Sequence, residues 1–129
     1  MRYLLDTHAL LWMALDDPRL SKPARIVLKG YDSLSYSAVN FWEIALKLSR
    51  SGFDFILPDD WHIALPKEMR RLGIHKLEIE PLHCRKCQNL PFHHKDPFDR
   101  MLVAQALAEG LSILSNDKKM DAYGVDRVW

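Results

Sequence analysis

Two carboxylates stand three residues apart at the start of an apolar helix predicted near the end of the chain. Asp96 precedes Pro97, and Asp99 comes just before the apolar run 101–106. Pro97 suits a first helical position, so Asp96 falls on the N-cap and Asp99 on the third helical residue. Capping alone explains both acids. A chemical role stays open beside it, because two histidines, a lysine and an arginine crowd the same turn.

Three more single acids can converge on this turn. Asp6 and Asp117 each follow a predicted strand, whereas Glu43 and Asp99 lie in first turns of helices that follow or flank the same edge. Sites in parallel α/β sheets lie outside the carboxyl ends of the strands. Each acid by itself is explained as a cap or turn residue. Together they predict a shared site at one rim of the sheet.

The helix predicted from about Ala38 to Arg50 is expected to turn Glu43 away from the core. The residues that share its other face and form the expected core stripe are Phe41, Ile44, Ala45 and Leu48. Glu43 lies one turn before Lys47, where an exposed ion pair would add ~0.3 kcal/mol. Periodicity does not decide whether Glu43 faces bulk water or a cleft.

Short apolar strands alternate with helical patterns along the chain. The strands are predicted at 3–5, 33–37, 77–79, 111–114 and 125–128. This order predicts an α/β sandwich around a mostly parallel sheet of about four to five strands flanked by helices. Pro66 falls inside the helix predicted over 61–72, which indicates a kink or a split into two shorter helices.

Composition predicts one ordinary globular domain over residues 1–129. Hydrophobic residues make up 48% of the chain and charged residues 27%, which is too apolar for disorder. With 18 basic and 17 acidic residues, the net charge of +1 favours nucleic-acid binding only through a local basic patch. The sequence has no membrane-length apolar run and no signal peptide, so we expect no membrane partner and a cytoplasmic location.

The only two cysteines, Cys84 and Cys87, fall in a short predicted helix that begins at Pro81. Two cysteines are too few for a disulfide scaffold, which agrees with a reducing compartment. Their spacing, followed by His93 and His94, leaves a structural zinc site open as an alternative. One turn of helix also brings two such residues together by default, so packing is the simpler explanation.

Four segments of the chain resemble the sequence motifs of the PIN domain family. They are Leu4–Trp12, Trp42–Lys47, His93–Ala106 and Leu114–Asp117. Their order, their spacing and the total length fit, so the resemblance covers essentially the whole chain as a single PIN domain. It is similar above all to small VapC-like ribonuclease toxins of bacterial toxin–antitoxin pairs. The resemblance implies a PIN-like three-layer sandwich.

The resemblance implies that Asp6, Glu43, Asp99 and Asp117 are catalytic, metal-binding carboxylates. Four carboxylates within a few ångströms repel one another, which raises some of their pKa values until a divalent cation neutralises them. Oxygen ligands favour Mg²⁺ or Mn²⁺ over zinc. The residues expected to support the carboxylates, without a primary role in metal binding, are Thr7, Asp96 and Ser115.

The implied activity is metal-dependent hydrolysis of RNA phosphodiester bonds, and single-stranded or looped RNA is the expected substrate. The basic candidates for RNA contacts are Lys47, Arg50, His94, Lys95 and Arg100. The resemblance also implies a cognate antitoxin and a homodimer. The alternative is a catalytically silent PIN-like module that binds RNA or protein, with its acids acting as caps. An Asp6→Asn substitution separates the two, because a cap tolerates Asn and a metal ligand does not.

Overall fold

A parallel sheet forms the middle layer of the chain, which a computed structural model describes over residues 1–30 and 32–129. Its strands are β1 (Arg2–Leu5), β2 (Ser33–Ser37), β3 (His75–Leu77), β4 (Ser112–Leu114) and β5 (Arg127–Val128). Their order across the sheet is β3-β2-β1-β4-β5, and each neighbouring pair is parallel. The carboxyl ends of the strands therefore meet at one edge.

Helices cover both faces of this sheet. They are α1 (Thr7–Ala14), α2 (Lys22–Lys29), α3 (Ala38–Leu48), α4 (Trp61–Arg71), α5 (Pro81–Gln88), α6 (Pro97–Glu109) and a 3₁₀ helix (Lys118–Tyr123). Along β1, Tyr3 and Leu5 pack into one apolar core, whereas Leu4 packs into the other. This alternation confirms the predicted α/β sandwich with a parallel sheet between two helical layers. Within the described ranges, no helix is both long and apolar enough to cross a membrane.

Local capping sets where the helices next to the sheet edge begin. The Asp6 carboxylate accepts the N–H of Ala9 at the start of α1. Asp96 accepts the N–H groups of Phe98 and Asp99 at the start of α6, and Pro97 takes the first helical position as predicted. Gly110 then ends α6 with a left-handed φ of 66°, a conformation that glycine adopts without strain.

Two edge strands and one helix differ from the sequence prediction. Strand β3 ends at Leu77, the residue where the predicted strand began, because parallel pairing of Ser37 with Leu77 fixes its register to β2. Its residues are largely exposed, so no apolar pattern marks it. At the other edge, β5 has only two residues. Pro66 does not split α4, whose buried Leu65 and Met69 hold both halves on the core.

The buried face of α3 also differs from the predicted stripe. Ile44 is buried as expected, but Ala45 and Leu48 are exposed. The buried residues of α3 are Val39, Asn40, Glu43 and Ile44. Two of these four, Asn40 and Glu43, are polar and are held at the sheet edge by hydrogen bonds with Thr7. An apolar criterion alone therefore misplaces part of the buried face, and Glu43 is buried in the second turn of α3.

Candidate active site

One cavity at the carboxyl edge of the sheet brings the four predicted acids together. It has a volume of about 350 Å³. The predicted site residues that line it are Asp6, Thr7, Glu43, Lys47, Asp96, Asp99 and Asp117. They come from the end of β1 with the start of α1, from α3, from the start of α6 and from the turn after β4. Tertiary folding thus collects acids that lie far apart in sequence.

Asp6 is both a helix cap and a wall of this cavity. Its side chain is 5% exposed and accepts the Ala9 N–H at 2.7 Å. Burial raises the pKa of Asp6 to about 6, and the charges of Glu43 and Asp117 add to this effect. Hydrogen bonds from the Ser115 hydroxyl and from Ala9 oppose it. Capping α1 therefore does not fully explain this carboxylate, because its two hydrogen bonds compensate its negative charge only in part.

Glu43 is held by a polar network that links α3 to α1 and β1. The Thr7 hydroxyl donates to Glu43 Oε1 at 2.5 Å, and Lys47 Nζ lies 3.6 Å from Glu43 Oε2. Asn40 Nδ2 in turn donates to Thr7 Oγ1 at 3.1 Å and to the Leu5 carbonyl at 3.3 Å. The predicted pair of Glu43 and Lys47 exists, but its acid is buried and faces the cavity.

Among these acids, Asp99 has the pKa that is shifted furthest from its usual value. It lies on the third residue of α6, and its N–H is already satisfied by Asp96. Burial raises the pKa of Asp99 to about 8, and the charges of Asp96, Glu43, Asp6 and Asp117 raise it further. A raised carboxyl pKa means that the negative charge is disfavoured in this cluster. A cation in the cavity would neutralise that charge, so the cluster favours binding of a cation.

Both carboxylate oxygens of Asp117 contact other groups of the protein. Its Oδ1 accepts the Lys119 N–H at 3.0 Å, and its Oδ2 lies 2.6 Å from His94 Nε2. Burial raises the pKa of Asp117, but the hydrogen bonds from His94 and Lys119 outweigh it and hold the pKa below its usual value. Ser115 lies beneath, fully buried, and its hydroxyl accepts the Asp117 N–H at 3.0 Å.

Two of the predicted RNA-binding residues lie away from the surface. His94 is only 9% exposed, and its Nε2 approaches both Asp117 and Asp99. Arg100 is 6% exposed, and its guanidinium donates to the carbonyls of Cys87, Leu90 and Pro91. The assignment of Arg100 to RNA is wrong, because these carbonyls and burial leave no path to a phosphate. His94 does not face solvent either; it lies beside Asp99 and Asp117.

The other three basic candidates remain at the surface. A second cavity of about 480 Å³ adjoins the first, shares Glu43, Lys47 and Asp96 with it, and also reaches Arg50. Lys47 is half-buried between its partner Glu43 and the ring of Phe53. Arg50 and Lys95 are exposed. The acidic cavity thus opens into a space that carries positive charge on one side.

The cysteines take no part in a grouping of metal ligands within the described ranges. Among those residues, the set of at least three side chains that could hold an ion is His94, Asp99 and Asp117, whose ligand atoms lie within 4.8 Å of one another. Cys84 is exposed and Cys87 half-buried on α5. The candidate metal centre therefore lies at the sheet edge and not on α5.

A sequence model of the PIN domain matches residues 3–126. This chain belongs to the PIN domain family. Over 122 residues it is 25% identical to Ribonuclease VapC22 of Mycobacterium tuberculosis, with 93% of this chain and 90% of that protein covered.

Solved structures show the same PIN fold. VapBC2 from Rickettsia felis, solved bound to a promoter DNA fragment, matches with a TM-score of 0.72 at 13% identity, covering 99% of this chain and 98% of that one. VapBC-1 from nontypeable Haemophilus influenzae matches with a TM-score of 0.67 at 16% identity, covering 99% and 97%. At these identities the likeness concerns the fold alone.

Sequence reasoning missed two polar residues that support this PIN-domain site. Asn40 is fully buried, and its Oδ1 accepts the Ser37 N–H at 2.7 Å, closing a capping box at the start of α3. The spacing of Ser37 and Asn40 was a readable signal for it. Tyr123 accepts the His94 N–H at 2.9 Å, and no local pattern indicates that contact.

Proposed function

We propose that this PIN domain is a metal-dependent endoribonuclease that acts as the toxin of a toxin–antitoxin pair. The observation that carries the proposal is the meeting of Asp6, Glu43, Asp99 and Asp117 in one cavity. Two of these carboxyl groups have pKa values raised to about 6 and about 8, as expected where a cation is needed to balance the charge. The identity to Ribonuclease VapC22 supports RNA as the substrate.

The donor set fits a hard divalent cation, Mg²⁺ or Mn²⁺. The four acids supply oxygen atoms only, which such ions prefer, and the cavity has room for retained waters. When bound, one or two cations would polarise the scissile phosphate and activate a water. Asp6 and Asp99 are the direct ligands in this proposal, and Asp117 acts on a second ion directly or through water.

Glu43 binds metal or orients the attacking water. The Thr7 hydroxyl and Lys47 fix its carboxylate against the cavity wall. In the hydrolysis, the water oxygen bonds to phosphorus while the bond from phosphorus to the leaving ribose oxygen breaks. A carboxylate held in one place favours this in-line geometry without reorganisation during the reaction. Ser115 and Asp96 support the neighbouring acids through hydrogen bonds.

The RNA strand leaves the acidic cavity through the second cavity in this proposal. Lys47 and Arg50 contact its phosphates there, and the exposed Lys95 does so from the turn before α6. The Trp42 side chain, 63% exposed, packs edge-on against Phe98 beside this space and offers a ring for base stacking. So few cations predict modest affinity and a shallow salt dependence.

The partner proposed for this toxin is a cognate antitoxin that covers the site. Structures of similar fold are toxin–antitoxin complexes, including one from Klebsiella pneumoniae, which matches with a TM-score of 0.67. A homodimer of this chain stays a prediction. Light scattering of the purified chain measures whether the homodimer forms.

The experiment that tests the activity is cleavage of a mixed pool of structured RNAs by the purified chain. Reactions contain Mn²⁺, Mg²⁺ or EDTA, and a pool of single-stranded DNA of the same sequences is the substrate control. The matched variant is Asp6→Asn, because its amide oxygen can still accept the Ala9 N–H and keep the cap of α1.

We expect cleavage of RNA in either metal, no cleavage in EDTA, and loss of activity in the Asp6→Asn variant. Cleavage of the DNA pool instead would overturn the substrate assignment. RNA or protein binding without cleavage, unaffected by metal or by Asp6→Asn, would identify the chain as a silent binding module.

A further inference from the structure

His94 lies between two of the proposed metal ligands. Its Nε2 atom is 2.6 Å from Asp117 Oδ2 and 3.1 Å from Asp99 Oδ2, and its side chain is 9% exposed. An imidazole at these distances from two carboxylates has two possible roles. It either binds the cation through a free Nε2 lone pair or donates an Nε2–H hydrogen bond to Asp117.

The contact on the far side of the ring decides between these roles. His94 Nδ1 lies 3.2 Å from the backbone nitrogen of Asp96, whose N–H points at it. A backbone N–H can only donate, so Nδ1 is the acceptor and carries no proton. The single proton of a neutral imidazole is then on Nε2. In this tautomer Nε2 is a donor and has no lone pair for a metal.

A chain of buried contacts fixes the ring in this orientation. The backbone N–H of His94 donates to the Tyr123 hydroxyl at 2.9 Å, which also accepts Arg100 Nη1 at 3.2 Å. Arg100 is anchored in turn on the carbonyls of the segment after α5. The guanidinium of Arg100 thus supports the site through Tyr123 and His94, without itself reaching the cavity.

We propose that His94 is a positioning residue, a fixed hydrogen-bond donor to Asp117 that also lies against Asp99 and so keeps the two carboxylates side by side at the cation site. This inference rests on the proposed function. A donor bonded to one carboxylate and next to the other relieves their mutual repulsion before a metal binds, so the ligands are already in place. Loss of hydrogen bonds that orient metal ligands typically weakens metal affinity about 10- to 100-fold.

Two substitutions separate the donor role from a ligand role. His94→Gln keeps an amide N–H donor near the position of Nε2, and His94→Leu keeps the bulk without a donor. Mn²⁺ binding to the metal-stripped proteins is measured by isothermal titration calorimetry, with thermal unfolding in EDTA as the folding control. We expect Mn²⁺ affinity to fall about 10- to 100-fold in His94→Leu and to stay within about 5-fold of wild type in His94→Gln.

Two spectroscopic measurements on the wild-type protein do not depend on the variants folding. Imidazole ¹⁵N NMR of the metal-free protein is expected to show a protonated Nε2 and an unprotonated Nδ1 at His94. Electron spin echo spectroscopy of the Mn²⁺-bound protein is expected to show no directly coordinated imidazole nitrogen. A coordinated nitrogen would overturn the positioning role and make His94 a ligand.

Unchanged Mn²⁺ affinity in His94→Leu would also overturn the inference, since the residue would then serve the fold alone. Failure of the proposed function looks different. Wild-type protein that binds no Mn²⁺ and cleaves no RNA would overturn both the function and this role of His94. Wild-type protein that binds Mn²⁺ and cleaves RNA, with affinity insensitive to His94→Leu, overturns only the role.

Discussion

Replacing Asp99 by Asn is expected to stabilise the metal-free protein while it abolishes metal-dependent cleavage. The Asp99 carboxyl group is largely buried among four other acids, so above about pH 4 the metal-free fold must either keep it protonated or carry an unfavourable charge there. An Asn side chain of the same shape keeps an oxygen at the position of Asp99 Oδ2, 3.1 Å from His94 Nε2, and removes the charge. The native state then loses a repulsion that the unfolded chain never has.

The size of the effect follows from the pKa of Asp99. Its rise from 3.8 to about 8 sets an upper limit of about 6 kcal/mol, at about 1.4 kcal/mol per pKa unit. Solvent reaches 19% of the Asp99 side chain, and screening reduces the gain, so we expect about 2 to 3 kcal/mol at pH 8. The gain appears as Asp99 ionises in the unfolded chain, so it is absent below about pH 4.

The pH dependence of the wild-type protein has the same origin and a definite sign. Asp6 and Asp99 have pKa values of about 6 and about 8 in the fold, above their usual value of 3.8. Between these limits the native state binds more protons than the unfolded chain, so stability falls as pH rises from about 4 to about 8. The Asp99→Asn substitution should make the loss of stability between about pH 6 and about pH 8 less steep.

The assay is urea denaturation in EDTA at pH 5 and pH 8, with Asp59→Asn as the control. Asp59 is exposed, and its substitution should change the unfolding free energy by less than about 0.5 kcal/mol. Saturating Mn²⁺ should reverse the order of wild type and Asp99→Asn, because the cation stabilises only a fold that binds it. A metal-free Asp99→Asn protein no more stable than wild type at pH 8 would refute the reasoning.

Three further substitutions test the roles of residues around the site. Arg100→Ala removes a buried guanidinium from its three carbonyl partners and should lower the unfolding free energy by about 3 kcal/mol. Urea denaturation measures this, and a loss under about 1 kcal/mol would contradict a structural role. Arg50→Ala should leave stability within about 0.5 kcal/mol but reduce the salt slope of single-stranded RNA affinity by roughly 0.7. An unchanged slope would remove Arg50 from the phosphate path. Cys84→Ser should change stability by less than about 0.5 kcal/mol, with or without a zinc chelator. Stoichiometric zinc in the purified protein would favour the alternative zinc site instead.

Features that depend on near neighbours in the chain were predictable from sequence. The N-cap at Asp96, Pro97 at the first helical position and Asp99 at the third all follow from backbone donors within one turn. The strand over Ser33–Ser37 has the predicted bounds as well. Short apolar strands between helical patterns were sufficient to predict a parallel sheet, because such strands need covering on both faces.

The environment of individual polar side chains was not predictable in this way. Glu43 was expected to face away from the core, yet a hydroxyl 36 residues away holds it in a buried network. Arg100 was assigned to RNA from its neighbours in sequence, whereas its guanidinium fills a buried space between α6 and the end of α5. A charged side chain gives no local signal of whether its partner is solvent, a ligand or a carbonyl.

The sequence by itself therefore determined the order of the elements, the caps at Asp6 and Asp96 and the set of acids that reach the carboxyl edge of the sheet. Only the tertiary structure decided which face of α3 is buried, where β3 pairs and how the acids are held. The physical reason is the range of the forces involved. Capping and periodicity act within a few residues, whereas the bond from His94 to Asp117 joins groups 23 residues apart and exists only once the sheet is assembled.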